Sequence, residues 1–418
     1  MRKTKFILFL LVLMMYGVMN AEIASGTCGK DGDNITWVLN DYGTLILSGS
    51  GEMQTYSTST NNLSPWYEVK ESVLGVSISQ SITSIGDAAF FRCSRLASIT
   101  IPNSVASIGE YAFDECRSFR SVEIPNSVVS IGHGAFRECI YLTSVTIPNS
   151  VTDMGDSAFR GCICLTDVTI GNSVKRLGNS VFEGCNIKSV TIPNSVTSID
   201  NYAFFECSSL TTVIIPNSVT SIGNSAFGNC TSLTSVAIPN SVITVGYAAF
   251  SGCSALTTVT IGNSLKSLEF HAFYDCSKLS EMTCAAVEPP IASYQVFDGT
   301  LAKSGTLHVP AESLEKYQVA ETWFYWKNVE AIDADITAID QVHSVVPEAM
   351  PDSHILLTHS DGMIHVEGAP KDALITVSTL AGETLKTCRV NNNVVSFQLP
   401  LNSIYIIKVG GKKLKIKI

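Results

Sequence analysis

Residues 233–253 read LTSVAIPNSVITVGYAAFSGC, and this string decides the architecture because the chain repeats it. An Ile-Pro-Asn-Ser or Ile-Gly-Asn-Ser tetrad begins at Ile101, Ile124, Ile147, Ile170, Ile192, Ile215, Ile238 and Ile261, a step of 23 residues with one of 22. Phenylalanine keeps the same beat at Phe90, Phe113, Phe136, Phe159, Phe182, Phe204, Phe227, Phe250 and Phe273, and a cysteine follows three residues behind each, from Cys93 to Cys276. Nine units are therefore legible. The short step falls between Cys185 and Ile187, in a connection, where a chain tolerates a deletion.

A period in the twenties is the mark of a solenoid. Within the unit, Val236 and Ile238 stand two apart and must share one side of a strand. Pro239 cannot donate to a sheet and ends that strand, and Asn240 and Ser241 turn the chain. A second apolar pair, Val242 and Val245, leads to Gly246, a position held by glycine in seven of the nine units and read as a tight left-handed corner. Ala249 and Phe250 then refill the core. One turn alone buries almost nothing. Stacked at about 4.8 Å per step, the turns make every Ile, Val and Phe a rung in a continuous apolar ladder. The expectation is a β-rich solenoid over residues 78–283.

Strand alternation also forces two rows outward. One contains Ser98, Ser121, Ser144, Ser189, Thr212, Ser235 and Thr258, with Asp167 and Glu281 among them. The other contains Thr100, Thr146, Thr169, Thr191 and Thr260, with Glu123, Ile214, Ala237 and Thr283. They form two hydroxyl-rich lanes, the candidate ligand-binding surface for protein or glycan. The plain alternative is that Ser and Thr are good solvent-side strand residues.

The cysteine ladder admits two readings. Adjacent turns bring Cα atoms within disulfide range, but parallel side chains in a row of nine cannot all pair. A buried row of small apolar thiols is expected.

Arg2, Lys3 and Lys5 precede an apolar run from Phe6 to Met15 and then small residues to Ala21, the pattern of a signal peptide over residues 1–21. The run is shorter than the roughly 20 residues of a spanning helix, and no transmembrane segment is expected in the mature chain. Ser25-Gly26-Thr27 before Cys28 is a poor acylation site. A net charge of −10 argues against nucleic acid as a partner, because phosphate binding needs a concentrated basic face.

No nucleophile elbow, zincin helix, phosphate loop or paired-CxxC framework is present. Ser48-Gly49-Ser50-Gly51 reads as a hairpin or edge turn, and Asp31 with Asp33 lacks the other calcium ligands. His354, His359 and His365 read as exposed loop histidines. No catalytic residue, metal or cofactor is expected, and the chain is read as a non-enzyme.

The repeat resembles the BspA-type leucine-rich repeats of bacterial and protist surface proteins. Gly26-Thr27-Cys28-Gly29, Trp37, Gly43-Thr44-Leu45 and Pro65-Trp66 resemble that family's lead-in, which makes residues 22–77 an N-terminal cap. Pro289-Pro290, Val309-Pro310, Tyr317 and Trp323 make 284–334 a C-terminal cap segment. After a linker over 335–351, residues 352–418 alternate in short runs read as a small all-β sandwich. Through Val377, Leu380, Gly382, Leu385 and the run from Ile404 to Val409, this tail resembles the C-terminal sorting domain of type IX secretion substrates, although Asn402-Ser403 stands where that family has glycine.

The resemblance implies export to the surface of a Gram-negative bacterium, the tail engaging secretion machinery. It also implies adhesion, with a host or bacterial surface protein or polysaccharide as partner. A structural surface-layer spacer without a specific ligand is the alternative.

Overall fold

The computed structural model describes residues 21–59 and 61–332 and, beyond them, the strands between 356 and 417. Residues 1–20 of the expected signal peptide, the linker 335–351 and His354 lie outside the described residues. The chain divides into two units, 1–331 and 332–418.

The first unit is a β-solenoid of about 11 turns. Its strand face is built of parallel strands of three or four residues. Ser144–Thr146 pairs with Asp167–Thr169, Ser189–Thr191 with Thr212–Ile214, and Ser235–Ile238 with Thr258–Ile261 and then Glu281–Cys284. Each of these registers matches residues one repeat apart, so the inward Val and Ile of every turn land on those of the next. A second parallel ladder is made of two-residue strands such as Ser198–Ile199, Ser221–Ile222, Thr244–Val245 and Ser267–Leu268.

The third side has no strand and is held by one-way backbone bonds. Tyr111, Phe113 and Glu115 donate their N–H groups to the carbonyls of His133, Ala135 and Arg137 at 2.7–2.8 Å, and other turns repeat the pattern. The left-handed residues sit here, at Ala88, Tyr111, Gly134, Ser157 and Ser180 and their successors. This corrects the expectation for the repeat glycine, because the left-handed corner lies two residues beyond it. Glycine is needed for close approach instead. A methyl group on Gly155 would meet the His133 nitrogen at 2.4 Å, and one on Gly132 the Glu110 nitrogen at 2.5 Å. Asp200 and Glu269 occupy this place in the other two units.

Inside, the nine repeat phenylalanines are fully buried and stack as a column. Phe113 and Phe136 have centroids 5.1 Å apart, Phe136 and Phe159 5.3 Å with planes only 3° apart. Identical positions in identical turns impose identical orientations, so the rings lie near parallel. The column outruns the nine units at both ends. Trp66 stacks on Phe90 at 5.6 Å, and its Nε1 donates to the Ala89 carbonyl at 2.8 Å. At the other end Phe297 continues it and meets Trp323 and Trp326 edge-on. Strands Thr306–Val309 and Asn328–Ala331 extend the strand face in the same parallel sense. Phe297 stands 24 residues after Phe273, with Thr300 in place of the cysteine, so the last turns lose the beat but not the stacking.

The nine ladder cysteines are buried. Eight of them donate the thiol to the carbonyl of the preceding turn's phenylalanine, from Cys116 to Phe90 at 3.1 Å through Cys276 to Phe250 at 3.1 Å. This explains why the position takes cysteine rather than valine. Burial pushes the thiols of Cys93 and Cys207 up to about 12.

In the second unit every described pairing is antiparallel. Leu356–Ser360, Met363–Glu367 and Val394–Gln398 form one sheet, while Thr384–Arg389, Leu374–Thr379, Ile404–Val409 and Lys412–Lys417 form another. His359 and His365 lie on the paired strands Leu356–Ser360 and Met363–Glu367, not in a loop as expected, because the spacing of six crosses from one strand to its neighbour.

Candidate binding face

The strand face carries the predicted lanes. Ser98, Thr100, Ser121, Ser144, Thr146, Thr169, Ser189, Thr191 and Thr212 are exposed, and Ser235, Thr258 and Thr260 are half-buried. The last three sit where strands lengthen to four residues and the ladder runs unbroken from Ser235–Ile238 to Asn328–Ala331, so neighbouring side chains cover one another. Between them the inward Val145, Val190, Val213, Val236 and Val259 are buried. Local sequence therefore places the lanes, through alternation about a buried valine.

Register then aligns them. Ser144 pairs with Asp167 and Thr146 with Thr169, Ser189 with Thr212, Ser235 with Thr258, and a single bridge joins Ser121 to Ser144. The strand face is not one continuous sheet, and Thr169 and Thr191 lie on either side of a break. The lanes also run further than the repeat beat indicates. Ser77 pairs with Thr100 at one end, and Thr306 and His308 follow Glu281 and Thr283 at the other, with His308 Nε2 at 3.5 Å from Glu281 Oε1. The Leu307-His308-Val309-Pro310 run is the signal that marks this extra rung.

A third row of hydroxyls, one residue before the first lane, has a different job. Thr143 Oγ1 donates to the Arg120 carbonyl at 3.1 Å, Thr211 to Lys188 at 3.0 Å and Thr257 to Thr234 at 3.1 Å. Those hydroxyls stitch turns together. Among the described residues no group of three or more His, Cys, Asp or Glu side chains could hold a metal, and no helix is long and apolar enough to cross a membrane.

Short parallel strands in a fixed 23-residue register, stacked over a Phe and Cys core, define a leucine-rich-repeat solenoid. Residues 67–188 and 175–300 match the BspA type leucine rich repeat region, and the chain belongs to that family. Among solved structures, a leucine-rich repeat protein from Bacteroides ovatus is 23% identical with a TM-score of 0.46, the likeness covering 76% of this chain and 100% of that one. A leucine rich cell surface protein from Faecalibacterium prausnitzii is 23% identical with a TM-score of 0.39, covering 73% and 97%. No curated protein matches the chain.

Proposed function

We propose that this chain is an exported cell-surface protein that binds a protein or polysaccharide partner along the two hydroxyl lanes. The observation that carries the reading is the division of labour on the strand face: Thr143, Thr211 and Thr257 bond the preceding turn, whereas Thr146, Thr169 and Thr191 project from the ladder into solvent. Few charges interrupt the lanes, which suits a shallow neutral contact repeated at each rung. The repeats use interchangeable residues and set apart no acid, base or nucleophile, so catalysis has no place in the proposal.

Glycan and matrix-protein arrays identify the ligand, and surface-plasmon binding then measures it. Changing Thr146→Lys, Thr169→Lys and Thr191→Lys together introduces three like charges on successive turns and leaves the core untouched. Loss of binding by a variant whose circular dichroism is unchanged supports the lanes. Undiminished binding sinks them, and an array without any specific ligand supports the spacer reading. The tail is proposed to direct export as a sorting module. Deleting residues 352–418 should leave a folded array trapped inside the outer membrane, and unchanged surface display would overturn this.

A further inference from the structure

Aromatic rings recur on the third side of the stack, away from the lanes, and besides the Tyr202–Phe205 pair, with centroids 5.6 Å apart, they fall into two groups. In the N-terminal turns this chain covers its own rings with cations. Lys70 Nζ lies 3.9 Å from the Tyr67 ring centroid, the Arg92 guanidinium carbon 4.8 Å from that of Phe91, and the Arg137 carbon 5.5 Å from that of Tyr111. In the C-terminal turns Tyr247, Phe270, His271, Tyr274 and Tyr294 come together from three successive turns. The Phe270 ring lies 3.7 Å from His271, 5.9 Å from Tyr247 and 5.0 Å from Tyr294, and His271 lies 4.3 Å from Tyr274. His271 holds the repeat position of Tyr111, and Tyr274 that of Phe91 and Arg137. The two groups thus share one side of the solenoid.

The second group has no such cover. Tyr247, Tyr274 and Tyr294 are exposed by 46%, 37% and 66%, and among the described residues no lysine or arginine lies over any of the five rings. The local charge is acidic. Glu269 and Asp275 are exposed and adjoin Phe270 and Tyr274 in the chain, and the exposed Asp298 stacks one turn on, its carbonyl accepting from the Asp275 N–H at 2.8 Å. Residues 266–303 carry five carboxylates against Lys266, Lys278 and Lys303, and residues 243–255 carry no charge.

We propose that this patch receives an arginine side chain from a basic segment of a protein partner. A ring face attracts a cation through its quadrupole, and the flat guanidinium both stacks on rings and bonds carboxylates bidentately. The three carboxylates complement that charge, whereas a neutral sugar would gain little from them. Arg92 over Phe91 and Arg137 over Tyr111 show the same pairing made within the chain. The site is separate from the hydroxyl lanes and stands or falls without them.

The test uses the full chain and a fluorescent Gly/Ser peptide bearing two arginines, read by anisotropy at low salt, beside an isosteric citrulline peptide and a xylohexaose arm. Citrulline should weaken binding about tenfold or more, and so should Tyr274→Ala with Tyr294→Ala. Glu269→Gln with Asp275→Asn keeps every ring and should weaken binding several-fold, which holds the test open if the tyrosine variant is unstable. The Thr146, Thr169 and Thr191 lysine variant should bind the peptide as the parent does. Equal binding of the citrulline peptide overturns the proposal, as does parental binding by the folded tyrosine variant. Xylohexaose binding that needs the tyrosines, without peptide binding, would assign the patch to sugars instead.

Discussion

The Cys139 thiol donates to the carbonyl of Phe113, 3.2 Å away and 26 residues earlier in the chain. Repeated eight times down the column, this contact ties a titratable group to the core of successive turns. Unfolded, a thiol ionises near its ordinary value of 9.0, whereas burial raises Cys93 and Cys207 in the fold to about 12. Between those values the folded chain holds protons that the unfolded chain has lost, so stability falls as pH rises above 9. Each such thiol contributes about 1.4 kcal/mol per pH unit. Urea titrations at pH 8, 9 and 10 should show a steep loss, blunted in Cys139→Ala relative to the parent at the same pH. A flat profile to pH 10 would refute the buried thiol ladder.

Gly155→Ala should destabilise the array by about 1–3 kcal/mol, because the new methyl would press on the His133 backbone nitrogen, which cannot swing aside. Gly184→Ala is the comparison. Its nearest neighbour is 3.9 Å away, and only the left-handed backbone at φ 70° opposes the change, at about 1 kcal/mol. Denaturant midpoints that rank the two in the opposite order would contradict the close-approach role of the repeat glycine.

Asp114 is fully buried, and Arg137 grips it with Nε at 2.9 Å and Nη2 at 2.8 Å. Burial pushes the Asp114 carboxyl above its usual range, and the guanidinium only partly offsets this. Arg137→Ala should cost about 3 kcal/mol at neutral pH by leaving a buried charge unpaired. A carboxyl with a raised folded pKa favours the fold at low pH and penalises it once ionised. The deficit should therefore shrink as the pH falls toward 4. Stability curves measured at pH 7 and pH 4.5 decide it, and a deficit independent of pH would mean that lost packing, not charge, is responsible.

Trp66 closes the phenylalanine column from above Phe90. Trp66→Ala should cost about 3–5 kcal/mol and leave the Ala89 carbonyl without its indole donor. Because each turn touches only its neighbours, hydrogen exchange should accelerate in the first turns while the turns around Phe227 and Phe250 stay protected. Uniform acceleration along the array would show instead that the solenoid unfolds as one body.

How much of this was legible follows from what periodicity reports. Val236, Ile238, Phe250 and Cys253 recur at fixed places, so their inward direction can be read from the string, and Ser235 and Ala237 follow as outward by alternation. The corner is not legible in the string, because Gly246 marks crowding against the neighbouring turn, a relation that no single unit contains. The turns within the cap segment are harder to read, because Phe297 and Leu307 drift off the beat by one or two residues.

The sequence by itself determined the solenoid, its buried Phe and Cys columns and the lanes, because each depends on residue type repeated at one position of a short local path. Only the tertiary structure decided where the left-handed residues fall, which hydroxyls stitch turns, how Trp66 and Trp323 close the column, and that Tyr247, Phe270 and Tyr294 form one patch. These rest on contacts between turns, and a contact across 23 or 24 residues is set by the rise and rotation of the stack, which the composition of a unit does not specify.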